Sequence, residues 1–285
     1  MLSSTKTRFH EIRIRLENHA PTGRLHAFLW ELGLFVFKQG WACLFGAIIL
    51  NLLLFTKWFW PHQAWLARYD FLFLSGVTVQ ILLLVLRMET VREAKVILIF
   101  HIVGTLMELF KTDVGSWAYP ESSFFRLGHV PLFSGFMYAS VGSYLARVTR
   151  ILDVRYTRYP DFKITVGLAV LIYANFFTHH FMPDLRIALF VAVAVIFGPT
   201  WVYYRPYQKF RRMPLLVGFG LVALFIWAAE NIGTFAAVWV YPNQRHGWQL
   251  VNFGKFGSWF LLMIISFILV TLVNPPRPPG PVLNL

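Results

Sequence analysis

The chain has 285 residues, of which 57% are hydrophobic and 18% aromatic, while only 14% are charged. Its mean hydropathy of +0.58 exceeds what a water-soluble fold of this length needs, so the composition excludes an ordinary soluble domain and points to lipid as the surrounding medium. The formal net charge of +13 is scattered in short stretches between apolar runs, which excludes a continuous nucleic-acid face and fits the Lys/Arg excess of cytoplasmic loops in membrane proteins.

Residues 1–40 read as a basic cytoplasmic lead carrying Lys6, Arg8, Arg13, Arg15 and Arg24, with the first long apolar run starting near Ala27. Such a lead lacks the short charged region and small-residue cleavage site of a secretory signal, so no cleavage is expected. Leu25 to Lys38 mixes aromatic and apolar residues with Glu31 and Lys38, the pattern of a helix lying in the membrane interface. A span needs about 20 apolar residues, or fewer when aromatic or basic residues anchor its ends. Eight segments meet that requirement: Trp41 to Phe55, Phe71 to Leu86, Val96 to Phe110, Leu132 to Val148, Ile164 to Phe181, Ile187 to Tyr204, Leu215 to Tyr241 and Phe256 to Val273. Cys43, the sole cysteine, lies in an apolar run, which leaves no intrachain disulfide and no Cys-based metal site.

Lys and Arg concentrate in the lead, in Arg87 to Lys95, in Arg147 to Lys163 and in Arg205 to Arg212. These are alternate loops, which places both termini in the cytoplasm and leaves the tail from Asn274 as an extended proline-rich end. The predicted fold class is therefore an all-α integral membrane protein of about eight transmembrane helices. Its organisation is a lead with an interfacial helix (1–40), a first four-span repeat (41–148), a basic linker (149–163), a second four-span repeat (164–273) and the tail (274–285).

The repeat is carried by two segments. Glu108, Thr112, Trp117, Tyr119 and Pro120 align without a gap on Glu230, Thr234, Trp239, Tyr241 and Pro242, each pair 122 positions apart. The same offset relates Gly135 to Gly257, and an offset of 124 relates Asn51 to Asn175. Four spans per half preserve direction, so the repeats should be parallel, with Glu108 and Glu230 facing one another across an axis along the membrane normal. A carboxyl within a span costs about 2.5 to 3.5 kcal/mol and is tolerated chiefly when it faces the bundle interior with a partner. These two glutamates are the principal functional signal, against a structural reading in which each merely clamps its Trp-x-Tyr-Pro turn.

Other polar residues gather on the same side. His101 precedes Glu108 by seven residues and shares its helix face, Lys111 and Asp113 lie just above, and Glu121 and His129 follow. His179, His180, Asp184 and Arg186 come between spans five and six, and Asn243, Gln244, Arg245 and His246 between seven and eight. Pro183 interrupts the helix that would present His179, His180 and Asp184 as an i, i+4 ligand pair, so no metal is expected. Walker, dinucleotide, nucleophile-elbow and zincin motifs are absent, and no cofactor is expected.

The chain resembles the YoaT-type family of uncharacterised bacterial multi-pass membrane proteins in length and in its Glu/Trp-Tyr-Pro segments, which implies the bacterial cell (inner) membrane. A second resemblance, to the carotenoid hydratase and lycopene cyclase group, rests on Glu108, on Gly115-Ser116-Trp117-Ala118-Tyr119 and on Val130-Pro131-Leu132. It implies a cofactor-free enzyme that protonates a polyene, although Glu230 is followed by Asn231 where the cyclases carry a second glutamate. Two functions are expected from this set. In the first, an acid-catalysed enzyme hydrates or isomerises an isoprenoid or other apolar lipid. Glu108, Glu230 and His101 are then catalytic, with Trp117, Tyr119, Asn231, Trp239, Tyr241 and Lys111 holding substrate and ring faces steadying a cation. In the second, a proton-coupled carrier uses the same glutamates. A non-catalytic membrane subunit, its basic cytoplasmic loops against anionic lipid, is the third reading.

Overall fold

The computed structural model describes residues 19, 21–61 and 63–280, so the expectations for Lys6, Arg8, Arg13, Arg15 and the last five residues lie outside the described residues. The apolar runs become α-helices, nine among the described residues, in the order α1 (Arg24–Ala42), α2 (Leu44–Phe59), α3 (Arg68–Val85), α4 (Val91–Asp113), α5 (Ser134–Ile151), α6 (Phe162–Thr178), α7 (Arg186–Phe197), α8 (Leu215–Phe235) and α9 (Lys255–Val273). Local chemistry sets their starts. The Thr90 hydroxyl accepts from Glu93 N–H while the Glu93 carboxylate accepts from Thr90 N–H, a reciprocal cap on α4. Asp161 caps α6 by accepting from Lys163 N–H.

Helices α3, α8 and α9 are long and apolar enough to cross a membrane, and α1 with α2, bent by 67° at their break, make a fourth candidate. Rows of large apolar side chains face outward at i, i+4, i+8 spacing: Leu98, Ile102 and Leu106 on α4, Ile187, Val191 and Val195 on α7, and Val217, Leu221 and Phe225 on α8. Left in water, such rows forgo about 25 cal/mol per Å² of apolar surface; in lipid they lose nothing.

The inner faces pack on small residues, as lipid-facing bundles require. A side chain added at Gly104 of α4 would run into Tyr138 of α5, one at Gly135 into His101, and one at Gly142 into Phe100. That close approach packs α4 and α5 tightly along their length.

Two expected spans end early. Ile187 to Tyr204 is helical only to Phe197, because Pro199 lacks the N–H that would continue the helix. Apart from a short hairpin of β1 (Arg126–Leu127) and β2 (Val130–Pro131), the strands of the described residues form one sheet: beyond this break the aromatic and β-branched run becomes β4 (Trp201–Tyr204), set between β3 (Arg155–Thr157) and β5 (Arg211–Pro214). All pairings are antiparallel, with Tyr156 opposite Val202 and Val202 opposite Met213. The seventh expected span, Leu215 to Tyr241, closes at Phe235, after which Ala237 adopts a left-handed conformation (φ 52) that turns the chain into a loop.

The sheet gathers the basic stretches at one end. Arg211 pairs with Glu31 of α1, Arg205 and Arg277 each approach Asp153 at 3.4 Å, and Tyr156 N–H donates to Arg277 carbonyl at 2.9 Å. At the same end a fully buried pair joins Arg147 to Glu89 at 3.5 Å, while Arg147 also donates to the carbonyl of Trp41 beside the α1/α2 break. At the opposite end, Arg68 ties the start of α3 to Glu121 at 2.8 Å and to the carbonyl of Ala236 at 2.9 Å. Asp70 there accepts from the backbone N–H groups of Phe124 and Phe125. These bonds fix the two loops that carry the site.

Candidate functional site

Glu108 sits near the end of α4 and is 2% exposed. Its Oε2 accepts from Trp117 Nε1 at 2.7 Å and Tyr119 hydroxyl at 2.8 Å, and its Oε1 accepts from Tyr138 hydroxyl at 2.6 Å. Left-handed Gly115 (φ 72) turns the chain after α4 so that Trp117 and Tyr119 fold back onto the helix that holds the carboxyl. Three donors satisfy a group that burial alone would make very costly.

Glu230, in α8 and 3% exposed, repeats part of the arrangement. Tyr241 hydroxyl donates to its Oε1 across the same eleven-residue interval that separates Tyr119 from Glu108. Its other oxygen accepts from Trp259 Nε1 of α9 at 2.6 Å. The two sites meet edge to edge: Ala118 and Val240 exchange backbone hydrogen bonds at 3.0 and 2.9 Å, and the Trp117 and Tyr241 rings stand 6.0 Å apart at 80°. Lys255 lies over both rings, 4.4 Å from the Tyr241 centroid and 5.9 Å from that of Trp117. Burial, and then the adjoining carboxyl, push the phenols of Tyr119 and Tyr241 well above their ordinary value, so both stay donors.

The structure thus brings together Glu108, Trp117, Tyr119, Glu230 and Tyr241, and holds others apart. His101 lies two turns before Glu108 against Phe136 (4.6 Å between centroids), with Nδ1 buried and lacking a hydrogen-bond partner among the described residues. Asn231 donates to Trp227 carbonyl and accepts from Val251 N–H, which anchors the loop before α9. Trp239 covers Gly233 and joins the cluster of Leu53, Tyr69, Phe133 and Val238. Lys111 is buried against the end of α6, donating to Phe176 carbonyl at 3.0 Å and lying 2.8 Å from His180 Nε2.

Sequence reasoning missed Tyr138 and Trp259. The signal available was the Gly135/Gly257 match: each glycine opens a helix close to a neighbour, and an aromatic donor follows within three residues. Both side chains also line an apolar cavity of about 40 Å³, with Gly104, Met107, Ile226 and Met263, so the cavity reaches each carboxyl through one hydrogen-bond donor.

Outward apolar rows and a pair of buried carboxyls under an aromatic loop edge mark a mostly helical protein, three of whose helices, or four spans with the bent pair, are long and apolar enough to cross a membrane. The chain belongs to the family described as a protein of unknown function (DUF817), whose profile matches residues 31–267. It is 44% identical over 247 residues to the uncharacterised protein YoaT of Bacillus subtilis, covering 87% of this chain and 93% of YoaT. The resemblance to the carotenoid hydratases and lycopene cyclases finds no support in these relatives. A crystal structure of a cross-linked MvINS trimer aligns with a TM-score of 0.46 and 12% identity over 67% of this chain and 98% of that one, a likeness too slight to carry an argument.

Proposed function

We propose that the protein is a cofactor-free, acid-catalysing enzyme of the bacterial cell (inner) membrane that acts on an isoprenoid or other apolar lipid. The observation that carries this reading is Tyr138, which bonds Glu108 on one side and lines the apolar cavity on the other. With Glu108 protonated on Oε1, the Tyr138 hydroxyl rotates from donating to that oxygen to accepting from it, and the Glu108 proton passes to the Tyr138 oxygen as the phenolic proton passes to a carbon–carbon double bond in the cavity. The resulting cation either loses a proton from the neighbouring carbon or takes up water and releases one, and that proton returns through Tyr138 to Glu108. Trp259 lines the same cavity from the second site, and Glu230 stands behind it as the acceptor of its indole N–H. At about 40 Å³ the space holds a water- or methyl-sized group, so a lipid chain enters by parting α5 from α9.

The reading includes eight passes arranged as two parallel repeats. What supports eight is the separation of loops: the basic stretches at 87–95, 147–163 and 205–212 share one end, and those around Arg68, Trp117, His180 and Tyr241 share the other. What supports the repeat is that Ala118 and Val240, equivalent at the 122-residue offset, pair with each other, as residues on a twofold axis do.

The test compares total isoprenoid and polar lipids, by mass spectrometry, from membranes holding equal amounts of wild type, Glu108→Gln and Tyr138→Phe. A species changed by one water, or isomerised, in wild type alone supports the enzyme. A second reading, a proton-coupled small-molecule transporter, draws on the matched carboxyls linked through the Trp117–Tyr241 contact. It predicts proton flux in liposomes that Glu108→Gln abolishes. No lipid change and no flux, with folded variants, would overturn both and leave the glutamates as loop clamps.

A further inference from the structure

Beyond the carboxyl pair lies a group of cations that the proposed chemistry leaves unused. Lys111 is 3% exposed, yet its Nζ has only neutral partners, the Phe176 carbonyl and His180, and the Phe176 ring 3.9 Å beneath it. Among the described residues no carboxylate lies within ion-pair distance of it. A buried ammonium without a counter-ion is expensive, and an anion arriving beside it would offset that cost.

Two more cations approach the same place. Arg186 opens α7, pairs with Asp184, and reaches across to Ser258 of α9 at 3.3 Å. Lys255, one turn before Ser258, opens α9 over Tyr241. His180, which meets Lys111 at 2.8 Å, precedes Arg186 by six residues in the same loop, and the Arg186 contact with Ser258 brings that loop to the first turn of the helix that Lys255 opens. Against three positive charges stand Asp184, engaged by Arg186, and Glu230, already satisfied by Tyr241 and Trp259. The starts of α7 and α9, helices of 12 and 19 residues, add the positive ends of their dipoles. Arg186 and Lys255 are half-buried and His180 is exposed, so the group opens to the bundle's end.

We propose that Lys111, Arg186 and Lys255 form an anion-binding site for a phosphate-bearing group at the end of the bundle that carries the Trp117–Tyr119 loop. A phosphate offers enough oxygens to meet an ammonium on α4, a guanidinium on α7 and an ammonium on α9 together, and two lysines with one arginine are the side chains that bind it. The source is a phospholipid headgroup or free phosphate, and the site is independent of whether Glu108 does chemistry.

The test uses the full-length protein in detergent, equilibrated with equal phosphatidylglycerol and phosphatidylcholine and read by native mass spectrometry. In parallel, its melting temperature is followed against inorganic phosphate. A preference for phosphatidylglycerol that drops roughly tenfold in Lys111→Gln and in Lys255→Gln supports a headgroup site. Stabilisation by phosphate, lost in the same variants without any lipid preference, supports a free-anion site. Lysine-to-arginine replacement at 255 should retain binding, and Arg126→Gln, on an exposed loop at the same end, should be silent. Glu108→Gln should bind as wild type does, which separates failure here from failure of the enzyme reading. If neither probe binds, or if Lys255→Gln binds like Lys255→Arg, the site does not exist; should Lys111→Gln fail to fold, the pair at 255 decides.

Discussion

Replacing Gly104 with alanine should destabilise the protein, although helix propensity alone predicts the reverse. A Cβ at this position would lie 2.6 Å from Cγ and Cδ2 of Tyr138 and 2.7 Å from its Cβ, at the root of the side chain where it cannot swing aside. Alanine in a helix gains about 1 kcal/mol over glycine. Against that stand about 1 to 3 kcal/mol for overpacking and about 1 to 3 kcal/mol for a buried Glu108 oxygen left without its donor once Tyr138 is pushed away. The net loss is about 1 to 5 kcal/mol. Equilibrium unfolding in mixed micelles measures it, with Gly167→Ala and Gly220→Ala as controls because a Cβ at either meets nothing within 4 Å. Adding Tyr138→Ala to Gly104→Ala should cost much less than it does alone, since the clash and the bond are one event. Gly104→Ala as stable as the controls would refute the close α4–α5 contact and the tyrosine placement that rests on it.

Trp259→Phe should lose about 1 to 3 kcal/mol, because Glu230 then keeps Tyr241 as its donor and loses the indole; adding Glu230→Gln should cost less in that background than in wild type, in the same unfolding assay. Arg147→Met should lose about 3 to 5 kcal/mol by leaving Glu89 charged and buried, and Glu89→Gln combined with it should recover part of the loss. Burial, followed by the charge of Lys111, holds His180 below the ordinary histidine value of 6.5. The unfolded chain therefore binds the proton more readily there, and stability falls as pH drops below 6.5. Melting curves of His180→Gln should show a shallower pH dependence over that interval; an unchanged slope would mean that His180 does not sense Lys111.

The apolar runs announced most helices because burial in lipid and burial in protein both ask for the same residues. What composition hides is which face turns inward. Tyr138 is one tyrosine among eleven, and only the glycine opposite it on α4 brings its hydroxyl to Glu108. Arg147 reads as the first residue of a basic loop, yet it is fully buried, because its partner Glu89 and the Trp41 carbonyl come from other turns of chain. The strand Trp201–Tyr204 reads as the end of a span, since an aromatic run is as much at home at a membrane edge as in a sheet. The pairing of Tyr241 with Glu230 was legible from the offset to Glu108 and Tyr119, whereas the exchange of Trp239 for Trp259 was not: Trp239 is taken up by Gly233, where the first segment has Lys111.

The hydrogen bond from Tyr156 to Arg277 has a practical side. Strand β3 has β4 on one flank only, so its other flank would offer unpaired backbone groups to any passing strand. Residues of the proline-rich tail lie along that flank instead, with prolines at 275, 276, 278 and 279 that have no N–H with which to recruit a further strand. The tail thus acts as a stopper on a sticky edge. A chain truncated before Asn274, or carrying a bulky fusion close behind it, uncovers that flank and should run as a larger species on size exclusion, whatever becomes of the site at the far end of the bundle.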